Sequence, residues 1–484
     1  MIRMKHWVVS LAIALAAGMA GAQAPDTSWT RLYTGVPFSY GSGVATDDSC
    51  NVYVAGYVDQ WEYDALVLRY SPGGSLDWSG TYDDSVANSD EYINGCAWSP
   101  DGHLYCVGAI VNNHTNGIDG LLLKYGRGGT LEWARTYSAP QYGTDWLHDA
   151  CVMADGSLFV CGETFVDSGS DLLAMKYTAD GDTVWVRRWG TTKNDFGNDC
   201  ALAPDGSLYV AGSTYNGSDN DALLVKFSSA GDTVWSRRYT GADNCQQEAW
   251  GCVCDGQGNV LVTGTAQDPA YATPVAFTAK YASDGMQQWL RKSAASYAIG
   301  NDGVTVAIDT AGDVYTCGET YGASRDIFIQ KYSSSGDSLW YTSLDTGVGN
   351  EAPYDCCIDP AGHLVLAGWA SFAKSIGCYT VKYGQLCGVS GRPPSLLQAE
   401  VTLRAVPNPA RQSVRFCLDS QQIFGASARF YDMTGRMVRR IEYDGAALCW
   451  DLKDDRGRRV PSGVYLCRID DAAATRYTAF AVVR

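Results

Sequence analysis

Residues 203–235 read APDGSLYVAGSTYNGSDNDALLVKFSSAGDTVW, and this pattern recurs along most of the chain. Its first half returns as VYVAG ending at Gly56, LYCVG at Gly108, LFVCG at Gly162, VLVTG at Gly264, VYTCG at Gly318 and LVLAG at Gly368. Its second half ends in a basic-aromatic pair whose aromatic members are Tyr70, Tyr125, Tyr177, Phe227, Tyr281, Tyr332 and Tyr383. A Trp follows eight residues after each of the first six, at Trp78, Trp133, Trp185, Trp235, Trp289 and Trp340. The intervals between them are 55, 52, 50, 54 and 51 residues. Several independent positions repeating in phase identify an internal repeat.

The unit reads as a four-stranded antiparallel meander. Its Asp-Gly and Ala-Gly pairs supply the positive-φ residue of tight hairpins. DALVLRY (64–70) and DLLAMKY (171–177) alternate with the two-residue period of a strand. A glycine four residues before each Trp closes a second hairpin. With Ser71 opposite Ser75, the side chains of Leu66, Leu68, Tyr70, Leu76 and Trp78 are expected on one face. Such a face must stack on a neighbour, and repeats of this length with four short strands are propeller blades. Trp29 lies 49 residues before Trp78, in phase, with no blade ahead of it, while Lys382-Tyr383 has no Trp behind it. An N-terminal strand carrying Trp29 would finish the last blade and remove the open edges. The expected fold is therefore all-β: a seven-bladed β-propeller over residues 25–384, closed by an N-terminal strand.

The chain has 484 residues, a net charge of −17, 46% hydrophobic and 18% charged residues. It is too apolar to be disordered and too acidic to suit a nucleic-acid backbone. Arg3 and Lys5, the apolar run VVSLAIALAAGMA and Ala20-Gly21-Ala22 have the order of a secretory signal peptide over 1–22. The run is shorter than the roughly 20 residues of a membrane span, and no later segment is apolar enough for one. The expected address is therefore export, to the cell surface or the medium. The 17 cysteines sit largely inside strand-like runs, as at Cys106, Cys161 and Cys317, where a buried thiol is the plain expectation. Cys96 and Cys106 flank one turn at equal distances and should face each other. Cys356 and Cys357 are adjacent in sequence.

The repeat resembles the bacterial SBBP-type β-propeller repeat, carried by APDGSLYVAGST and DALLVKFSSAGDTVW, over about three quarters of the chain. PVAFTAKY and GCYTVKY depart from it by lacking the leading Asp. The resemblance implies an extracellular propeller without an assigned catalytic set. Residues 385–399 hold a Gly/Pro/Ser-containing linker, and a different pattern of short alternating strands fills 400–484, consistent with a small Ig-like β-sandwich. That segment is similar to the sorting domain of the type IX secretion system, or to the Ig-like domain of flagellar hook-capping proteins. The residues carrying the likeness are Pro407-Asn408-Pro409, Tyr431 to Arg436, Trp450-Asp451 and Pro461-Ser462-Gly463-Val464-Tyr465. It implies recognition by an outer-membrane translocon as the partner. Residues 392–484 carry 15 basic and 10 acidic residues, net +5, and the rest, without Arg3 and Lys5, carries −24.

No phosphate loop, HExxH, G-x-S-x-G elbow or EF-hand loop occurs. His103 and His363 follow turn glycines, and no His has a spaced partner. The segment between each Trp strand and the next inner strand holds an acid: Asp90 and Glu91, Asp145, Asp195, Glu248, Asp302 and Glu351. The loops after the repeat glycines bring Tyr57, Trp61, Phe165, Tyr215, Tyr321 and Trp369, on what should be the same face. Acids beside aromatic platforms suit a glycan, a basic protein segment or a cation, for which Ca²⁺ is the candidate; no organic cofactor is expected. The plainer account has the acids solvating loops and the aromatics filling gaps between blades. The spacing from repeat Gly to paired aromatic varies only from 14 to 17 residues, so no blade carries an enlarged catalytic loop. The sequence thus favours a binding or adhesion module over an extracellular hydrolase with an acidic site at the channel mouth, or a structural surface-layer protein.

Overall fold

The computed structural model describes residues 27–33, 36, 38–60, 62–84, 89–112, 117–139, 143–166, 169–241, 245–267, 273–293, 300–321, 324–344, 349–372, 375–385, 403–406, 413–418, 426–432, 437–443, 448–454, 456–470 and 475–482. The expected signal peptide (1–22), all of the expected linker but Gln385, Pro407-Asn408-Pro409 and Trp61 lie outside them. The chain divides into two compact units, one within 21–394 and one within 395–484. Every regular element among the described residues is a strand, and no helix is long and apolar enough to cross a membrane.

The larger unit is built of four-stranded antiparallel meanders of the β-propeller type. Five separate sheets each take four consecutive strands, within 89–137, 145–189, 195–239, 247–293 and 300–344. A sixth, eight-stranded sheet runs Glu351–Ile358, His363–Phe372, Ser375–Gln385, Phe38–Thr46, Val52–Asp59, Tyr63–Tyr70, Leu76–Tyr82. Its eighth strand, Thr27–Tyr33, pairs antiparallel with Ser375–Gln385, setting Trp29 opposite Lys382. Ser375–Gln385 and Phe38–Thr46 are joined by one parallel pair, Phe38 with Ile376.

The repeated Trp reaches from its own meander into the next. Trp29 donates its indole N–H to the Pro72 carbonyl at 2.9 Å, Trp185 to Ser229 at 3.2 Å, Trp235 to Ser283 at 3.1 Å and Trp289 to Ser334 at 3.2 Å. Each acceptor lies in the hairpin that precedes the next Trp. That hairpin needs its glycine twice over. Gly231 sits at φ +86°, and a Cβ on it would come 3.0 Å from the Trp185 ring. An Arg two residues after the Trp covers the exposed ring face, Arg187 at 5.6 Å from Trp185 and Arg237 at 5.1 Å from Trp235. Arg237 Nε also donates to Gly285 O at 2.8 Å. The strand holding Trp340 has no such hairpin ahead of it, because the unit it faces takes its fourth strand from the N-terminus.

The expectation that Leu66, Leu68, Tyr70, Leu76 and Trp78 share a face is corrected by a bulge. The pairing shifts between Arg69 and Tyr70, so Trp78 stands opposite Arg69 while Leu76 stands opposite Tyr70. One extra residue inverts the alternation. Leu66, Leu68 and Tyr70 pack with Trp29 and Val365, whereas Trp78 packs with Tyr53, Ala55 and Val67, and Leu76 is exposed. The two faces thus serve two different neighbours.

In the C-terminal unit, one sheet holds Leu403–Val406, Val414–Leu418 and Leu448–Trp450, and a second holds Met437–Tyr443, Ala426–Asp432, Gly463–Asp470 and Thr475–Val482. They share a core in which buried Trp450 stacks on Phe430 at 4.5 Å and meets Tyr465 edge-on at 5.6 Å. The Trp450 indole donates to Lys453 O at 2.8 Å.

Fourteen cysteines among the described residues are free thiols. Cys96 does face Cys106 in register, without a bond between them. Trp289→Phe, which keeps a ring but loses the inter-unit hydrogen bond, should cost about 1–2 kcal/mol in urea unfolding. Trp340→Phe, which has no hairpin carbonyl ahead of it, should cost less. Equal losses would show that the docking bond contributes nothing.

Candidate functional site

Each meander opens with a strand whose pairing to the second carries the same one-residue bulge, and this register shows which side chains share a place. Two residues before the partner of the repeat Gly stand Ser39, Glu91, Asp145, Asp195, Gln247, Asn301 and Glu351. All seven are polar and 0% exposed. Burying such groups requires partners, and three of them hold the segment that enters their own meander. Asp145 accepts the Ala139 N–H at 2.8 Å, Asp195 the Thr191 N–H at 2.6 Å, and Gln247 Oε1 the Gly241 N–H at 2.7 Å. Asp145, Asp195, Glu91 and Glu351 therefore point inward.

Glu248 and Asp302 stand one place later, on the opposite face. Glu248 accepts from Asn220 and Gln246, both at 2.7 Å, and Asp302 accepts the Tyr321 hydroxyl. Asp90, one place before Glu91, accepts the Tyr63 N–H at 3.0 Å. A search for acids alone finds Glu248 and Asp302. Alignment on the repeat Gly would have found the equivalents Gln247 and Asn301.

The place after the buried polar residue reads Tyr40, Tyr92, Trp146, Phe196, Glu248, Asp302 and Ala352 around the units. Four consecutive aromatics are followed by two acids. Because first and second strands are antiparallel, the ends of the second strands come to the same rim: Tyr57 opposite Tyr40, Glu319 opposite Asp302, Trp369 opposite Ala352. Tyr40 and Tyr57 stack at 4.8 Å, Tyr92 meets Tyr57 and Tyr63 at 5.1 Å each, and Trp146 follows at 5.8 Å from Tyr92. The bulge residue Tyr354 carries the series on towards Tyr40, Trp369 and Glu319. Burial and neighbouring phenols push the Tyr57 hydroxyl well above its ordinary range, and burial with Asp90 does the same to Tyr92. These hydroxyls stay neutral, able to donate and accept.

Among the sequence-predicted residues, the structure thus brings Tyr57, Asp90, Glu248, Asp302, Tyr321 and Trp369 to this rim. Arg325 sits 5.3 Å over Tyr321 and 3.4 Å from Glu319. Phe165 and Tyr215 lie at the ends of the second strands of other meanders rather than on the expected loops, Phe165 47% exposed. Tyr40, Tyr63, Tyr92, Trp146 and Tyr354 were not singled out from sequence. Their signal, an aromatic next to the buried polar residue, becomes visible only once the bulge register is known.

Deeper in, just past the bulge, three further acids meet. Asp149, Asp199 and Asp355 each reach across to the inner strand of another meander, accepting Cys200 N–H at 3.3 Å, Cys252 N–H at 2.5 Å and Val44 N–H at 2.7 Å. Their counterparts Gly43, Gly95 and Gly251 face backbone so closely that a Cβ on Gly43 would come 2.7 Å from Cys96 N. Burial raises Asp149 and Asp355 to about 7, and burial with the charge of Asp149 raises Asp199 further.

A family model described as "Domain of unknown function (DUF5122) beta-propeller" matches residues 203–233. No curated protein matches the chain. Among solved structures, PorZ, a surface component of the type-IX secretion system of Porphyromonas gingivalis, is 13% identical with a TM-score of 0.41, covering 97% of this chain. The chain spans 61% of the length of PorZ. The β-propeller domain of the Trilobed protease from Pyrococcus furiosus is 11% identical with a TM-score of 0.45, covering 73% of this chain and 100% of that one. The polysaccharide lyase Uly1 is 10% identical with a TM-score of 0.48, covering 77% and 95%. The matched family model is that of a β-propeller domain, the fold its strands build here.

The buried acids set a pH dependence. Asp355 titrates at about 7 when folded and near 4 when unfolded, so between these values the folded chain holds the extra proton. Stability from this group is full below about pH 4 and is lost as pH rises through about 7. Melting temperature should therefore fall from pH 5.5 to pH 8, and Asp355→Asn should flatten that fall. An unchanged slope in the variant would show that Asp355 is ionised throughout.

Proposed function

We propose that the chain is an exported seven-bladed β-propeller, its last blade completed by the strand bearing Trp29, that works as a non-catalytic carbohydrate-binding module at the cell surface or in the medium. The observation that carries this reading is the rim. Tyr40, Tyr57, Tyr63, Tyr92 and Trp146 form one contiguous aromatic surface beside Asp90, and Asp302 and Glu319 lie further round. Rings of this kind cover the apolar faces of sugars, while neutral phenols and carboxylates hydrogen-bond the hydroxyl groups. The Trp29 pairing beside Lys382 supports the seven-blade count.

The C-terminal unit, in this reading, is an Ig-like sorting domain presented to an outer-membrane secretion translocon. The two sheets around Trp450 and the net +5 of residues 392–484 against −24 for the rest support it.

On a glycan array, the full chain should bind a defined set of sugars. Tyr92→Ala and Trp146→Ala should each weaken binding at least tenfold, while Val184→Ala, exposed on an outer strand, should leave it unchanged. Absence of glycan binding, or binding indifferent to both rim variants, would overturn the reading. Fractionation of the native host with and without residues 400–484 tests the address: surface retention without the segment would refute it.

A further inference from the structure

The buried polar place at Glu91 differs from three of its counterparts. Asp145, Asp195 and Gln247 each receive a backbone N–H from the segment entering their meander. Glu91 is equally buried, at 0% exposure, yet neither carboxylate oxygen has a donor in hydrogen-bonding geometry, although the Ser89 hydroxyl stands near enough to favour its charged form. The neighbouring Ser89 hydroxyl is donated to Asp84 at 2.7 Å instead. What Glu91 does face is more negative charge. One carboxylate oxygen each from Asp83, Asp84 and Glu91 can be chosen so that all three lie within 4.8 Å of one another. Asp64 adds its charge to Glu91, and Glu62 and Asp90 add theirs to Asp64.

Three carboxylates so close, one of them dry and without a donor in bonding geometry, repel one another unless something positive lies between them. We propose that Asp83, Asp84 and Glu91 bind a Ca²⁺ ion. The donors are all hard oxygens, which suit Ca²⁺ rather than a thiolate- or imidazole-seeking metal. Ca²⁺ takes oxygens at about 2.3–2.6 Å, so two on opposite sides of one ion stand about 5 Å apart, the span seen here. It also accepts mixed carboxylate and water shells, which a site with one exposed, one half-buried and one buried ligand would give it. Mg²⁺ holds its water more tightly and demands stricter geometry, so it is the weaker competitor.

The position gives the ion a structural consequence. Asp83 and Asp84 follow Leu76–Tyr82, the last strand of one meander, and Glu91 lies in Ser89–Trp98, the first of the next. The ion would clip the two together where sister units use a backbone hydrogen bond. Glu91 lies beside Tyr92, so the clip would also steady the aromatic rim. The site does not depend on what the rim binds.

The test uses the full chain stripped with EGTA and titrated with CaCl₂, read by calorimetry and by thermal unfolding. One Ca²⁺ per chain should bind and raise the melting temperature by several degrees, with MgCl₂ at equal concentration giving a smaller shift. Glu91→Gln and Asp84→Asn should each weaken that binding at least tenfold, and Asp180→Asn, in a hairpin of another meander, should leave it intact. Asp84 is only half-buried, so its variant tests the site even if Glu91→Gln fails to fold. Absence of Ca²⁺ binding, or binding of equal strength in the Asp84 variant, would overturn the proposal.

Discussion

The larger unit depends on one contact made again and again: an indole N–H from one meander given to a hairpin carbonyl of the next. A four-stranded meander has two faces and no way of covering both. The Trp solves this at the outer strand, where the sheet is otherwise most exposed. Its ring lies on a hairpin glycine, and at Trp29, Trp78, Trp185, Trp235 and Trp289 its N–H bonds a carbonyl of that turn, while Trp133 makes the ring contact alone. An Arg then lies over the ring and bonds the same turn, as Arg291 does with Trp289 and Gly336 O at 2.6 Å. Hydrogen bond, ring contact and cation–π contact all require the same spacing between neighbours. The interval between successive Trp residues therefore varies little, although the loops between strands vary freely.

The inner edge uses a different device. There the strands approach until glycine is needed at Gly43, Gly95 and Gly251, and space is left for only a few side chains. Asp149, Asp199 and Asp355 occupy it, each tied to the backbone of a neighbouring inner strand. A carboxyl group serves well, because it accepts from an N–H that would otherwise be buried unpaired. The cost is desolvation, and it emerges as carboxyls that hold their protons towards neutral pH. The outer docking uses groups that do not titrate near neutral pH, an indole, a carbonyl and an arginine, whereas the inner fastening uses carboxyls that do.

Much of this was legible in the sequence, and the reason is repetition. Trp29, standing 49 residues ahead of Trp78, places the first strand beside the last one even though some 350 residues separate them. What the sequence hides is the bulge. The shift between Arg69 and Tyr70 moves Trp78 to the opposite face from Tyr70, and no local propensity marks it. Asp195 and Glu248 likewise look equivalent when only acids are sought, yet they stand at successive places of the inner strand, on opposite faces. The Trp-x-Arg element, at Trp185-Arg187, Trp235-Arg237 and Trp289-Arg291, was present in the sequence but passes for ordinary surface charge until the Arg is seen over the ring.

Equal frames make inequality informative. Packing fixes the repeat glycine, the docking Trp and the buried polar place in each unit, because a change at any of them leaves a void or an unpaired group. The rim place beside the buried polar residue is less constrained, since it is half-buried in six of the seven units and its contacts differ from unit to unit. Left to solvation alone, it would carry charged and polar residues in no particular order. Instead Tyr40, Tyr92, Trp146 and Phe196 occupy four successive units, and Glu248 and Asp302 the next two. Large aromatic side chains on a surface expose apolar area that water does not reward. Their concentration on one arc, with ring centroids 4.8–5.8 Å apart from Tyr40 through Tyr57 and Tyr92 to Trp146, makes a single surface of them. A frame that repeats and a rim that does not are what a scaffold needs in order to present one oriented site.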